Sequence, residues 1–238
     1  MTTIATGGTV NTGVTTRTYD AAGTTGWTAG HGIEVNGVCF DSGGNVYTCG
    51  NYVTLSTVRV AVRAYDGAGN LLWNGSHRTT LRAIARHPDG VVTAGASIDS
   101  ANIKLFAPDG TLTWSRSYLG GGTIRGVAAD SAGNVYVCGV RTGSITTAKY
   151  DSSGTLVWSA DHGLTVYGIA IDSDGNVYTG GIANAGSSNY STRKYDSSGT
   201  LLWSLSHYPS NPTTVWGIAV DSAGNVHTVG AVASSKTT

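Results

Sequence analysis

Charge is scarce in this sequence. Only 12% of the 238 residues are charged, and 14 acidic side chains balance 14 basic ones. A nucleic-acid surface needs a basic excess, so no nucleic-acid partner is expected. Disorder accompanies high net charge, and that is missing too. Cysteine is nearly absent: Cys39, Cys49 and Cys138, with no CxxC. An odd, low count is no disulfide framework and no metal-binding pattern. These three read as small apolar strand residues of a protein made in a reducing cytoplasm. No apolar run approaches the length of a membrane span. The opening MTTIATGGTV has no basic segment followed by an apolar run, so no signal peptide is expected. Proline occurs 4 times against 35 glycines, without a Gly-X-Y period. Collagen is excluded, and the glycines are left to serve turns and close packing.

What the sequence has is repetition. An aromatic recurs at Tyr19, Tyr65, Phe106, Tyr150 and Tyr195, in steps of 46, 41, 44 and 45 residues. Each is followed by a turn (DAAG, DGAG, APDG, DSSG, DSSG) and then by Trp27, Trp73, Trp114, Trp158 or Trp203. A second turn also recurs five times, at Asp41–Asn45, His87–Gly90, Asp130–Asn134, Asp172–Asn176 and Asp221–Asn225. Its mechanism is chemical: Asp accepts the turn N–H groups and Gly takes the positive-φ position. Ahead of each second turn, small residues alternate with larger ones, as in Gly168-Ile169-Ala170-Ile171. Period two marks a strand with one bulky and one bare face, and a bare face lets a neighbouring sheet come close.

Four strands, A to D, in about 44 residues is the size of one propeller blade. GIAIDSDGNVYTG and GVAADSAGNVYVCG resemble the NHL and SBBP β-propeller repeats. The resemblance covers almost the whole chain. It implies an all-β, five-bladed β-propeller with four antiparallel strands per blade, and it implies binding more than catalysis. The unit from Ala83 to Trp114 departs from the pattern: both its turns are Pro-Asp-Gly, and Arg86 stands where the others are apolar. Residues 1–238 read as one domain. Blades span about 37–75, 83–116, 126–160 and 168–205, and a fifth is shared between 217–230 and 14–29. Pairing Val226–Gly230 beside the N-terminal hairpin abolishes open edges. Residues 1–10 are then surplus. Their Ile4–Gly8 resembles another strand B, lying on an edge or reaching a neighbouring subunit.

Eleven of the thirteen aspartates lie in the turns, and each turn needs its side chain. Asp172-Ser-Asp174-Gly-Asn176 begins like a calcium loop but lacks the later ligands, so no metal or other cofactor is expected. Glu34, Asp99 and Asp161 remain. The residues just before each strand A, taken as the channel mouth, are Asn36, Arg82, Arg125, Tyr167 and Trp216. None is acidic, which disfavours the facing carboxylates of a glycosidase, and no GxSxG elbow appears. No catalytic residue is assigned. Arg meets anions, and Tyr and Trp stack on sugars or apolar groups, so the mouth set is either a ligand site or a plug. A second ring, His31, His77, Tyr118, His162 and His207, falls four residues after each Trp. Spread around the rim it cannot hold one metal, and it reads as structural, satisfying backbone groups. The expected function is a non-enzymatic structural or attachment module, of the kind displayed on a phage virion surface as a decoration or tail-associated protein. The alternative is a lectin-like propeller using its top face; a propeller glycosidase or lyase ranks third. The partners are other protein subunits, reached in part through residues 1–10, or a surface glycan.

Overall fold

The computed structural model describes residues 4–10, 13–30, 34–54, 57–77, 80–96, 101–118, 122–140, 146–161, 165–182, 190–207 and 213–232. All the secondary structure in them is strand. The chain divides into two compact units, Met1–Tyr118 and Leu119–Thr238.

The first unit opens with β1 (Ile4–Val10), β2 (Gly13–Tyr19) and β3 (Thr25–Gly30), which form a three-stranded sheet in that order. Two four-stranded sheets follow. One holds β4 (Glu34–Phe40), β5 (Val46–Thr54), β6 (Thr57–Tyr65) and β7 (Leu71–His77). The other holds β8 (Thr80–His87), β9 (Gly90–Ala96), β10 (Ala101–Phe106) and β11 (Leu112–Ser117). The second unit repeats the plan. One sheet holds β12 (Thr123–Ala129), β13 (Val135–Val140), β14 (Thr146–Tyr150) and β15 (Leu156–Asp161). The next holds β16 (Thr165–Ile171), β17 (Val177–Ile182), β18 (Tyr190–Tyr195) and β19 (Leu201–His207). The chain ends on a two-stranded sheet of β20 (Thr213–Val220) and β21 (Val226–Val232). Pairing is antiparallel throughout, and each four-stranded sheet runs in chain order.

The turns close as their chemistry dictates. Asp130 Oδ1 accepts the N–H groups of Ala132 at 3.0 Å and Asn134 at 2.9 Å. Gly133 sits at φ +82°, a region that favours glycine. The Pro-Asp-Gly turn between β8 and β9 substitutes a buried His87, whose Nδ1 accepts the Asp89 N–H at 3.1 Å.

The small residues of the first strands do what period two predicts. A Cβ built on Gly37 would lie 2.9 Å from Ile84 Cγ2 of the next sheet. One on Gly168 would lie 3.1 Å from Ile218 Cγ2. The glycines thus admit the next sheet's isoleucines. In the first unit this contact belongs to a core of Tyr47, Cys49, Val62, Leu81, Ile84 and Phe106. In the second unit Tyr136, Val177 and Tyr195 pack with Trp158, Ile169 and Ile171.

Two sequence expectations are corrected. The first strands begin three or four residues earlier than the small-residue pattern suggests, because a bulge interrupts the alternation. The place beside β2, expected for Val226–Gly230, is taken by β1, which lies on the edge of that sheet in register from Ile4↔Tyr19 to Val10↔Gly13. Closing a hairpin over two intervening residues costs far less chain entropy than recruiting a strand from near the other end of the chain.

Candidate recognition residues at the strand bulges

In every sheet but the N-terminal one, the first strand carries one extra residue against its partner. The register slips between Val35 and Gly37, Leu81 and Ala83, Ile124 and Gly126, Val166 and Gly168, and Val215 and Gly217. The residues inside those slips are Asn36, Arg82, Arg125, Tyr167 and Trp216. These are the five residues the sequence placed at the channel mouth. They lie within the first strands, at bulges, rather than ahead of them. A bulge bends its strand and re-aims the extra side chain, so each of these five sheets presents one variable residue.

A glycine on the second strand makes each bulge possible. Gly50, Gly95, Gly139 and Gly181 face the bulged segment so closely that an added Cβ would run into the carbonyl oxygens of Glu34, Thr80, Thr123 and Thr165. Gly230 pairs with Val215 at the equivalent position. The sequence reading passed over these glycines. Their signal was present: each lies four residues after a valine at the start of its strand or one residue in, at Val46, Val91, Val135, Val177 and Val226.

Asn36 donates from Nδ2 to the Leu81 carbonyl at 2.7 Å and so spans two sheets of the first unit. Arg82 is exposed. In the second unit the Arg125 guanidinium lies over the Tyr167 ring, 4.6 Å from its centroid. That is cation–π distance, and the ring orients the cation. Arg125 Nε is buried and makes no hydrogen bond with the described residues. Trp216 is 62% exposed, unusual for a tryptophan. The structure thus joins Arg125 with Tyr167 and Asn36 with the Arg82 strand, and leaves Trp216 open to solvent.

Of the second ring, Tyr118 is fully buried. His77 and His207 pair through the backbone with Val60 and Tyr190, but their side chains lie outside the described set. His31 and His162 lie outside the described residues, as does Asp99. Glu34, exposed, opens β4, and Asp161 closes β15.

The Asp turns form a second polar region. Asp172 Oδ2 accepts from Asn176 Nδ2 at 2.8 Å and from the Tyr178 hydroxyl at 2.9 Å, and Lys194 Nζ lies 3.9 Å away. Asp130 is held the same way by Asn134 and Tyr136, and Asp41 by Asn45 and Tyr47. Burial pushes these carboxyls up, but the hydrogen bonds outweigh it and hold all three below the usual carboxylate range. Burial, with the Asp41 bond and charge behind it, pushes the Tyr47 hydroxyl up to about 12. Two open clefts of about 530 and 520 Å³ lie between successive turns of the second unit, lined among others by Asp172, Tyr178 and Lys194, and by Asp130, Tyr136 and Lys149. Asp130, Asp172 and Asp221 are committed to their own turns, while Asp174 joins its turn through its backbone N–H.

No protein-family model matches this sequence, and no curated protein matches it. Solved structures do. Sqt1 of Chaetomium thermophilum aligns with TM-score 0.70 at 18% identity, over 96% of this chain and 64% of Sqt1. A Lactobacillus plantarum protein aligns with TM-score 0.67 at 18% identity, over 96% and 75%. A Bacteroides caccae protein of unknown function aligns with TM-score 0.55 at 14% identity, over 86% and 93%. The chain therefore spans less than two thirds of Sqt1. At these identities the likeness shows fold alone, and with the repeated four-stranded antiparallel sheets it places the chain in the β-propeller class.

Proposed function

We propose that the chain is a non-enzymatic attachment module that engages a protein partner through its bulge residues, Arg125, Tyr167 and Trp216 above all. One observation carries this. The repeat holds its framework constant and varies the side chain at the bulge, and in the second unit the bulges present a ring-supported guanidinium and an open indole. Arg and aromatic side chains dominate protein recognition because they give large contact area with directed hydrogen bonding. Arg125 Nε, buried with no hydrogen bond from the described residues, is a donor that an incoming carbonyl or carboxylate satisfies. Sqt1, a propeller of similar fold, has been crystallised bound to the N-terminus of the ribosomal protein L10, so a fold of this kind accommodates a peptide segment. The Thr-, Ser- and Gly-rich, uncharged composition suits a module displayed in many copies on a particle.

A display selection of random peptides against the full chain tests the reading. Selected peptides lose about tenfold or more in affinity on Arg125→Ala and on Trp216→Ala, a loss of about 1.4 kcal/mol or more. Binding unchanged in both variants removes the bulges as the site. The second reading, a sugar stacked on the exposed Trp216 indole, is separated by a glycan array: signal that vanishes in Trp216→Ala favours it over a protein partner.

A further inference from the structure

Charge at the bulges is one-sided. Two of the five bulge residues are arginines and none is acidic, in a chain whose net charge is zero. In the second unit Arg125 is the one cation on a first strand, and that unit contains no glutamate. Six of its seven aspartates, all but Asp161, lie in turns. Asp130 follows Arg125 by five residues, and Asp172 follows Tyr167 by five. Five strand residues span roughly 16 Å. The turns of Asp151 and Asp196 lie at that same far end, because β14 and β18 run in the direction of β12 and β16. Asp161 closes β15, three strands out from β12, which is roughly 14 Å across the sheet. Within its own unit, then, no described carboxylate is placed to neutralise Arg125.

What Arg125 has instead is a ring. Its guanidinium stands 4.6 Å from the Tyr167 centroid, beside the contact in which Gly126 admits Ile169. A ring face attracts the cation and fixes its plane, but it takes no N–H···O bond. Arg125 Nε is shielded from solvent and meets no acceptor among the described residues. The desolvation of that donor is already suffered while its bond is unmade. A carboxylate supplies both missing things: two oxygens matched to the planar N–H fork, and a counter-charge. A neutral carbonyl supplies an acceptor without the charge. A phosphate dianion calls for a second cation, and Lys149 and Lys194 stand in the turn clefts.

We propose that Arg125, oriented by Tyr167, receives an Asp or Glu side chain of the partner segment, so that the module selects acidic segments. This rests on the attachment reading and narrows it from any peptide to an acidic one. Tyr167 is a positioning residue: it holds the guanidinium in one plane before the partner arrives, which lowers the ordering cost of binding.

Peptides selected against the full chain, resynthesised with amidated C-termini, test this in a double-mutant cycle. They carry an Asp or Glu. Replacing it by its amide costs about tenfold or more in affinity for the unaltered chain and little for Arg125→Ala, where the acid has lost its partner. Arg125→Lys keeps the charge, loses the fork and recovers only part of the affinity. Tyr167→Leu weakens the acidic peptide and leaves its amide counterpart unchanged. If Arg125→Ala fails to fold, the acid-to-amide change measured on the unaltered chain and on Arg125→Lys decides. Selected peptides without an acidic side chain overturn the inference, and so does an acid-to-amide cost that is equal with and without Arg125. Where such peptides still need Trp216, the attachment reading survives alone. Peptides that bind only with a free C-terminus move the carboxylate to the chain end and overturn the side-chain assignment. Stronger competition by inorganic phosphate than by acetate assigns the site to a phosphate group and overturns it too. If no peptide is selected, the attachment reading falls and this inference falls with it.

Discussion

Gly139 is where the bulge is most open to attack. It pairs with Ile124 on the strand that carries Arg125. In Gly139→Ala the new methyl would press into the Thr123 carbonyl oxygen and lie 2.9 Å from Ile124 Cα. Both obstacles are backbone, so no rotamer change relieves them. β12 and β13 must separate, or the bulge must be expelled. Overpacking a filled site costs about 1–3 kcal/mol, and a backbone clash belongs near the top of that range. For a chain of this length each kcal/mol lowers the melting temperature by about 2–4 °C, so a fall of roughly 6–10 °C follows. The control is Gly43→Ala. Gly43 holds the turn position occupied by Ala22, Ala132 and Ala223 in other copies, and its added Cβ meets only side-chain atoms, the nearest at 3.3 Å. There, Ala restricts the unfolded chain and is neutral or stabilising by up to about 1 kcal/mol. Melting curves followed by circular dichroism compare the two. Equal melting temperatures refute the argument that the second-strand glycines exist to accommodate bulges. If Gly139→Ala also expels the bulge, the Arg125–Tyr167 stack goes with it, and peptide affinity falls alongside stability.

Three further predictions rest on other parts of the molecule. Tyr136→Phe removes the 2.9 Å bond to Asp130 Oδ2 and costs about 1 kcal/mol, read as a shift in the urea midpoint at unchanged slope; no shift means that hydroxyl contributes nothing. Stability falls in acid. The turn carboxyls of Asp41, Asp130 and Asp172 are lowered in the folded state, and Asp221, bonded to Asn225, reaches about 2. Their contribution is therefore fully present above the ordinary carboxylate value of 3.8 and is lost as pH falls below it toward about 2. A melting temperature flat between pH 5 and pH 2 would refute that linkage. Burial pushes the Cys39 and Cys138 thiols up to about 12 and raises Cys49 as well. A disulfide reagent at mildly alkaline pH leaves all three untouched until denaturant is added; rapid labelling of the folded chain would show that they are not closed in.

The repeat made much of the architecture legible. The Asp-x-x-Gly turns announce themselves because one carboxylate and one positive φ are both required, and Gly133 with Asp130 shows both. The alternation Gly-Ile-Ala-Ile announces a close sheet contact, and Gly168 against Ile218 is that contact. The variable residues before the alternation were legible as a set, but not as bulges. A bulge is a mismatch between two strands, and a single strand's sequence does not display its partner's register. Gly139, opposite Ile124 and beside the bulged Arg125, is the mark of it on the partner strand.

The ends of the chain posed a harder problem, and its cause is physical. β1 and β21 carry the same kind of strand and suit the same edge of β2, which has room for one of them. A pattern argument can count strands and find one too many, and it has no way to rank the two. What ranks them is chain connectivity: β1 needs only a hairpin closure to reach β2. A count of like strands carries no such term, so the pairing of Ile4 with Tyr19 is a fact of the structure that repetition in the sequence does not contain.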